Sequence, residues 1–210
     1  MKRIYSLIFF AFAVYSPATA QVRPDTTAGL QFALGMRSTL SSFTDAGSYG
    51  MGAGGQFWIR AGKHLNTVWY ADYISTDIQG LGYRKDAHIG WSVIFYLDKT
   101  PLLPHKVTPF IMAGQCFDYT QLYSNYLNTT AERWSAAAPQ GGGGITYMLT
   151  GKFDISLFMQ YMLHLGTHVE SALLSNNNGE RYLSISREPG ASLDGHLLFT
   201  FSINYKLGKL

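Results

Sequence analysis

From Leu193 to Leu207 the chain alternates with a period of two. The odd positions read Leu193, Gly195, Leu197, Phe199, Phe201, Ile203, Tyr205 and Leu207. The even positions read Asp194, His196, Leu198, Thr200, Ser202, Asn204 and Lys206. Successive side chains of a strand point to opposite faces, so this segment has one greasy face and one polar face. It is far longer than the roughly 5–6 residues of an ordinary globular strand. It is long enough for a tilted strand to cross a bilayer, which takes about 9–11 residues. No stretch of about 18 apolar residues follows Ala20, so no transmembrane helix competes with this reading.

The same pattern recurs over 28–37, 49–61, 65–76, 87–97, 107–118, 137–149 and 154–166. With the last segment this makes eight amphipathic strands. The connectors near 62–64, 98–106 and 150–153 are short. Those near 38–48, 77–86, 119–136 and 167–192 are longer and polar, and Ser175-Asn176-Asn177-Asn178-Gly179 is a strong turn signal. Alternating short turns and long loops, with an even strand count, predict an all-β, eight-stranded antiparallel up-and-down transmembrane β-barrel over 28–207.

The alternation assigns side chains to the two faces. Trp69, Trp91, Phe95, Phe110, Tyr161, Phe199, Phe201 and Tyr205 are expected to face lipid or form the interface girdles. Arg60, Asp72, His88, Gln115, Gln160, His164, Asp194 and His196 are expected to point inward as a polar network. The glycines Gly50, Gly52, Gly54, Gly142 and Gly144 share that inward face and make room for larger neighbours.

Composition agrees. Charged residues are 14% of the 210, against about a quarter in soluble domains, while aromatics reach 15%. Residues 1–20 read as a cleaved signal peptide. Lys2 and Arg3 precede an apolar stretch, and Ala18-Thr19-Ala20 forms the small-residue cleavage site. Residues 21–27 then form a periplasmic segment, and 208–210 a short tail. Removing Lys2 and Arg3 leaves a nearly neutral chain with no basic cluster, so nucleic acid is not an expected partner. Cys116 is the only cysteine. It can form no internal disulfide, and no zinc-ligand spacing surrounds it.

The pattern resembles the small OmpA/OmpX-like eight-stranded barrels, and more closely the outer membrane β-barrel domain family common in Bacteroidota. The residues that carry the likeness are the signal peptide, Val107-Thr108-Pro109-Phe110-Ile111-Met112-Ala113-Gly114, the stretch 141–147, and the closing strand 197–207. The resemblance implies residence in the outer membrane among lipid and lipopolysaccharide, after delivery by periplasmic chaperones to the barrel assembly machinery. That machinery often reads a terminal aromatic. Here the last aromatic is Tyr205, so Phe199, Phe201 and Tyr205 are the candidate signal.

A non-enzymatic envelope, surface-interaction or minor-permeation role is expected, with no cofactor and no metal. Two other classes stay open. Lipid-A-modifying barrels need a Ser, a His and an acid within hydrogen-bond reach. The candidates are His88, Ser92, Asp72, His164, His168, Glu170, Asp194 and His196, which are scattered over several strands. A soluble lipocalin-like carrier would need the two faces inverted. A place in a secretion apparatus, as in PorT-like barrels, is not discriminated. His164 and His168 are four apart, a spacing that shares a face only on a helix.

Overall fold

A computed structural model describes residues 30–42, 48–99 and 102–209. The expected signal peptide, the segment 21–27 and Leu210 lie outside the described residues. Eight strands follow one another: β1 Gln31–Ser42, β2 Tyr49–Arg60, β3 Leu65–Asp77, β4 Gly82–Tyr96, β5 Val107–Ser124, β6 Thr129–Met148, β7 Phe153–Ser175 and β8 Arg181–Lys209. Each pairs antiparallel with the next, and β8 returns to β1, closing the barrel. The closing ladder runs from Gln31↔Lys209 to Ser42↔Leu197, with one bulge at Phe32/Ala33.

The outer surface is greasy. Leu34, Met36, Trp69, Ile89, Ile111, Leu157, Phe199, Phe201 and Ile203 are all exposed. Cross-strand neighbours on this face pair aromatic with aromatic, as at Trp69↔Trp91, whose rings lie 6.2 Å apart. The inner face holds the buried polar set, among them Arg37, Asp72, His88, Asp118, Gln160 and His164. A water-soluble sheet protein has these preferences reversed. This surface is built for hydrocarbon.

Strand lengths depart from expectation. The stretches 77–86, 119–136 and 167–192, read as long loops, are mostly strand. The actual reversals are the turns at 78–81, 125–128 and 176–180. In the first, Gly80 takes a left-handed φ of 72° while its N–H donates to Asp77 Oδ2 at 3.0 Å. In the last, Asn176 Oδ1 accepts from the N–H groups of Asn178 and Glu180, both at 2.9 Å. Polar composition misled the loop assignment because the outward face of these strand ends carries polar side chains, such as Lys85, Gln121 and Glu132.

β7 and β8 go further still. The β6–β7 ladder stops at Gln140↔Met162, whereas β7–β8 pairing continues to Ser175↔Arg181. Among the described residues, 163–196 therefore pair only with each other, as a two-stranded ribbon with a bulge at Gly166/His168. The ribbon folds across the barrel mouth. Its Val169 and Leu183 pack with Ile78, Leu122 and Ala131 from the opposite rim.

Two outcomes test this architecture. Nitroxides replacing Phe199, Phe201 or Ile203 should be relaxed by a lipid-dissolved paramagnet, and one at Thr200 or Ser202 should be protected. Protection of the first set would exclude the bilayer orientation. Separately, Tyr70 lies across Gly90, where an added Cβ would sit 2.7 Å from its Cζ and Oη. Gly90→Val should cost about 1–3 kcal/mol in urea unfolding from lipid vesicles.

Candidate functional site in the barrel interior

The inward face stacks into tiers. Near the periplasmic end, Tyr96, Phe110, Met112, Met148 and Phe158 form an apolar cluster. Beside it Gln56 Nε2 donates to Asn204 Oδ1 at 2.5 Å, and Asn204 Nδ2 donates to Asp154 Oδ1 at 2.6 Å. A cavity of about 20 Å³ remains between these groups, room for about one water.

In the middle tier, Arg37 Nε lies 3.0 Å from Asp72 Oδ1, and its guanidinium sits 4.1 Å above the Tyr70 ring. Tyr70 donates to Gln140 Oε1 at 2.6 Å, and Gln160 Nε2 donates to the same oxygen at 3.1 Å. Gln140 Nε2 in turn donates to Ser92 Oγ at 2.8 Å. These bonds cross the lumen between β3, β4, β6 and β7, so the interior is plugged by side chains.

The upper tier concentrates the titratable groups. The even positions of β4 turn Arg84, Asp86 and His88 inward, and those of β5 turn Asp118 and Thr120 inward. Arg133 comes from β6, His164 from β7 and His196 from β8. Asp118 is the hub. His88 Nε2 stands 3.1 Å from its Oδ1. His164 Nδ1 at 3.0 Å and Arg133 at 2.9 Å reach its Oδ2. His164 Nε2 and His196 Nδ1 are 2.9 Å apart, and the His196 ring lies 5.5 Å from the His88 ring. Arg84 Nε bonds both oxygens of Asp86, which also accepts from Thr120 Oγ1 at 2.7 Å.

Several expectations are corrected. Phe110 is not lipid-facing. It is buried inside with Met112 and Cys116, while Ile111 and Phe117 face out. Gln115 correspondingly has outward parity, opposite Trp91 and Pro139. Both faces are apolar from Pro109 to Ala113, so the apolar alternation there does not orient the strand. Arg60 belongs to the periplasmic rim: half-buried, it donates to the carbonyls of Gly62 and Lys63 at 3.1 and 3.2 Å. The side chains of Asp194, His168 and Glu170 lie outside the described residues. Asp72, His88, Gln160, His164 and His196 sit inside, and Trp69, Trp91, Phe95, Tyr161, Phe199, Phe201 and Tyr205 are exposed on the outer surface.

Reading the sequence missed Arg37, Arg84, Asp86, Asp118 and Arg133. Parity could have found Arg37, which alternates with Leu34 and Met36. The same test on Thr108, Asp118 and Thr120 would have oriented β5.

Chemically, the layer is balanced. Asp72, Asp86 and Asp118 each hold a guanidinium, from Arg37, Arg84 and Arg133. Donor atoms of Asp86, His88 and Asp118 lie within 4.8 Å of one another. The arginines already neutralise both carboxylates, so the cluster offers a cation no net negative charge. Ser92 Oγ accepts from Gln140, while His88 faces Asp118.

No family model matches the chain, and no curated protein matches it. Solved structures do. Neisserial surface protein A aligns with a TM-score of 0.55 at 14% identity, over 86% of this chain and 98% of its own. A major outer membrane protein from Thermus thermophilus gives 0.54 at 11%, over 86% and 100%. The N-terminal β-barrel domain of Pseudomonas aeruginosa OprF gives 0.52 at 9%, over 83% and 97%. The fold is that of the small eight-stranded outer-membrane barrels. With its apolar exterior, the chain is an integral outer-membrane protein.

Removing one partner from a buried charge pair strands the other. Asp118→Asn should therefore cost about 3–5 kcal/mol in vesicle unfolding. Asp98→Asn breaks the partly exposed 2.7 Å pair with Lys106 and should cost under about 1 kcal/mol.

Proposed function

We propose that the protein is a non-enzymatic envelope barrel whose work is done at the cell surface by the strands that project from the membrane. The observation that carries this is the contrast between a filled lumen and overlong strands. β5 to β8 run 18, 20, 23 and 29 residues, where about 9–11 suffice to cross. Extra length on the extracellular side adds nothing to permeation through a plugged barrel, but it presents side chains to the medium. Exposed there are Tyr126, Leu127 and Leu174, and the Tyr126 ring stacks on half-buried Tyr182 at 5.2 Å between centroids.

Membership of the Bacteroidota-type barrel family is the finer reading, supported by the residues 107–114, 141–147 and 197–207. Lipopolysaccharide is the expected lipid neighbour. Phe199, Phe201 and Tyr205 are the expected signal to the assembly machinery. The positions of Ser92, His88 and Asp72, each engaged elsewhere, favour a non-enzymatic role over lipid A hydrolysis.

The reading predicts that purified protein in planar bilayers shows no steady ohmic conductance at neutral pH. An Asn178→Cys variant should react with a membrane-impermeant maleimide on whole cells. A large stable conductance would replace this reading with permeation. Lipid A acyl chains should be unchanged by expression, and a change in their mass would establish the enzymatic alternative.

A further inference from the structure

The ribbon's two ends are held by different chemistry. At its tip the bonds are neutral or exposed. Arg181 donates to Gln79 Oε1 at 2.8 Å, Asn176 Nδ2 donates to Tyr126 Oη at 3.3 Å, and Ser124 Oγ donates to the Leu183 carbonyl at 2.6 Å. Its middle rests on the small apolar cluster of Ile78, Leu122, Ala131, Val169 and Leu183. At its root stand His164 and His196, just beyond the last β6–β7 rung at Met162 and the last β8–β1 rung at Leu197. Both are buried. They join the ribbon to the barrel wall through imidazole chemistry: His164 to Asp118 on β5, and His196 stacked on His88 of β4.

We propose that the ribbon is a lid over the extracellular mouth, latched at its root by His164 against Asp118 and His196 against His88, and released by mild acid. Facing the Asp118 carboxylate, His164 Nδ1 carries the proton. Its Nε2 and His196 Nδ1, 2.9 Å apart, share one proton in the neutral pair. A further proton makes one of the two rings an imidazolium and adds a cation to the layer.

The surroundings cannot absorb that cation. The pair is faced by Asp118 and Arg133 from β5 and β6, and by His88 and the Arg84–Asp86 pair from β4. The Arg37–Asp72 pair of β1 and β3 lies one tier below. Each carboxylate already has its guanidinium, so an imidazolium is an unmatched buried charge. Swinging the root outward into water relieves it. Among the described residues, the ribbon's strand pairing above Met162 and Leu197 is with itself, so no ladder described there opposes this movement.

The inference uses the barrel reading but not the absence of conduction. Its test is a distance measurement on the full protein in lipid vesicles. Nitroxides go at Asn178 on the ribbon tip and Asn128 on the β5–β6 turn, with buried Cys116 left in place. At about pH 7.5 the distance distribution should be narrow. At about pH 4.5 it should be longer and broader, reversibly, while the folded band on unheated gels persists. His164→Gln with His196→Gln keeps amide donors and acceptors but cannot titrate, so its distribution should be the same at both pH values. A wild-type distribution unaffected by pH overturns the proposal, and so does a pH response that survives in the double variant. Should the double variant not fold, His164→Asn with His196→Asn is read the same way, since it too removes both titratable rings.

Discussion

Hydrocarbon offers no hydrogen bonds, so every backbone N–H and C=O at membrane depth must find its partner within the sheet. This requirement shapes the molecule. It forces β8 back onto β1, and the join holds over the full length of β1 despite the bulge at Phe32/Ala33. Closure then decides where polarity goes. With lipid on the convex side, polar side chains can only collect inside. Eight strands leave a lumen just wide enough for them to touch. Charges held there must be matched, and three arginines meet three aspartates.

The same requirement marks where the membrane ends. Among the described residues, β6 has no β7 partner above Gln140, and β7 has none in β6 above Met162. Open edges are tolerable only where water or side chains can satisfy them. Pro139, which has no N–H to satisfy, stands where the β6 edge begins. Further up, Arg187 of the ribbon donates to the Glu132 carbonyl at 2.7 Å. The β6–β7 ladder splits at Gln140↔Met162. That split frees β7 and β8 to cross the mouth.

What the sequence revealed follows from how strongly lipid contrasts with a polar lumen. In β8 the contrast is nearly complete, and alternation alone placed Phe199, Phe201 and His196. In β5 it fails, because the lower lumen is itself apolar. Phe110 and Met112 meet Tyr96 and Phe158 across it, so an inward residue looks like an outward one. Beyond the membrane the contrast disappears. Asp86, Asp118 and Arg133 fell in or beside stretches that looked like loops, and the upper tier stayed hidden although His88, His164 and His196 were already assigned inward. Joining them needed the register that sets Asp118 opposite His88. No local pattern carries that pairing.

The tiers also separate what can move from what cannot. Below the imidazole layer, Arg37, Tyr70, Gln140 and Gln160 bridge the lumen, and the Phe110 and Phe158 cluster closes it again. These contacts join strands that are laddered on both sides, so displacing them would strain the closed sheet. Among the described residues, the ribbon has no ladder to the wall above its root. Its shift therefore changes which surface the cell presents, with Val169, Leu183 and the Ile78–Leu122 rim uncovered together, while the barrel beneath stays sealed. A protein made this way can respond at its outer end without opening a path through the membrane.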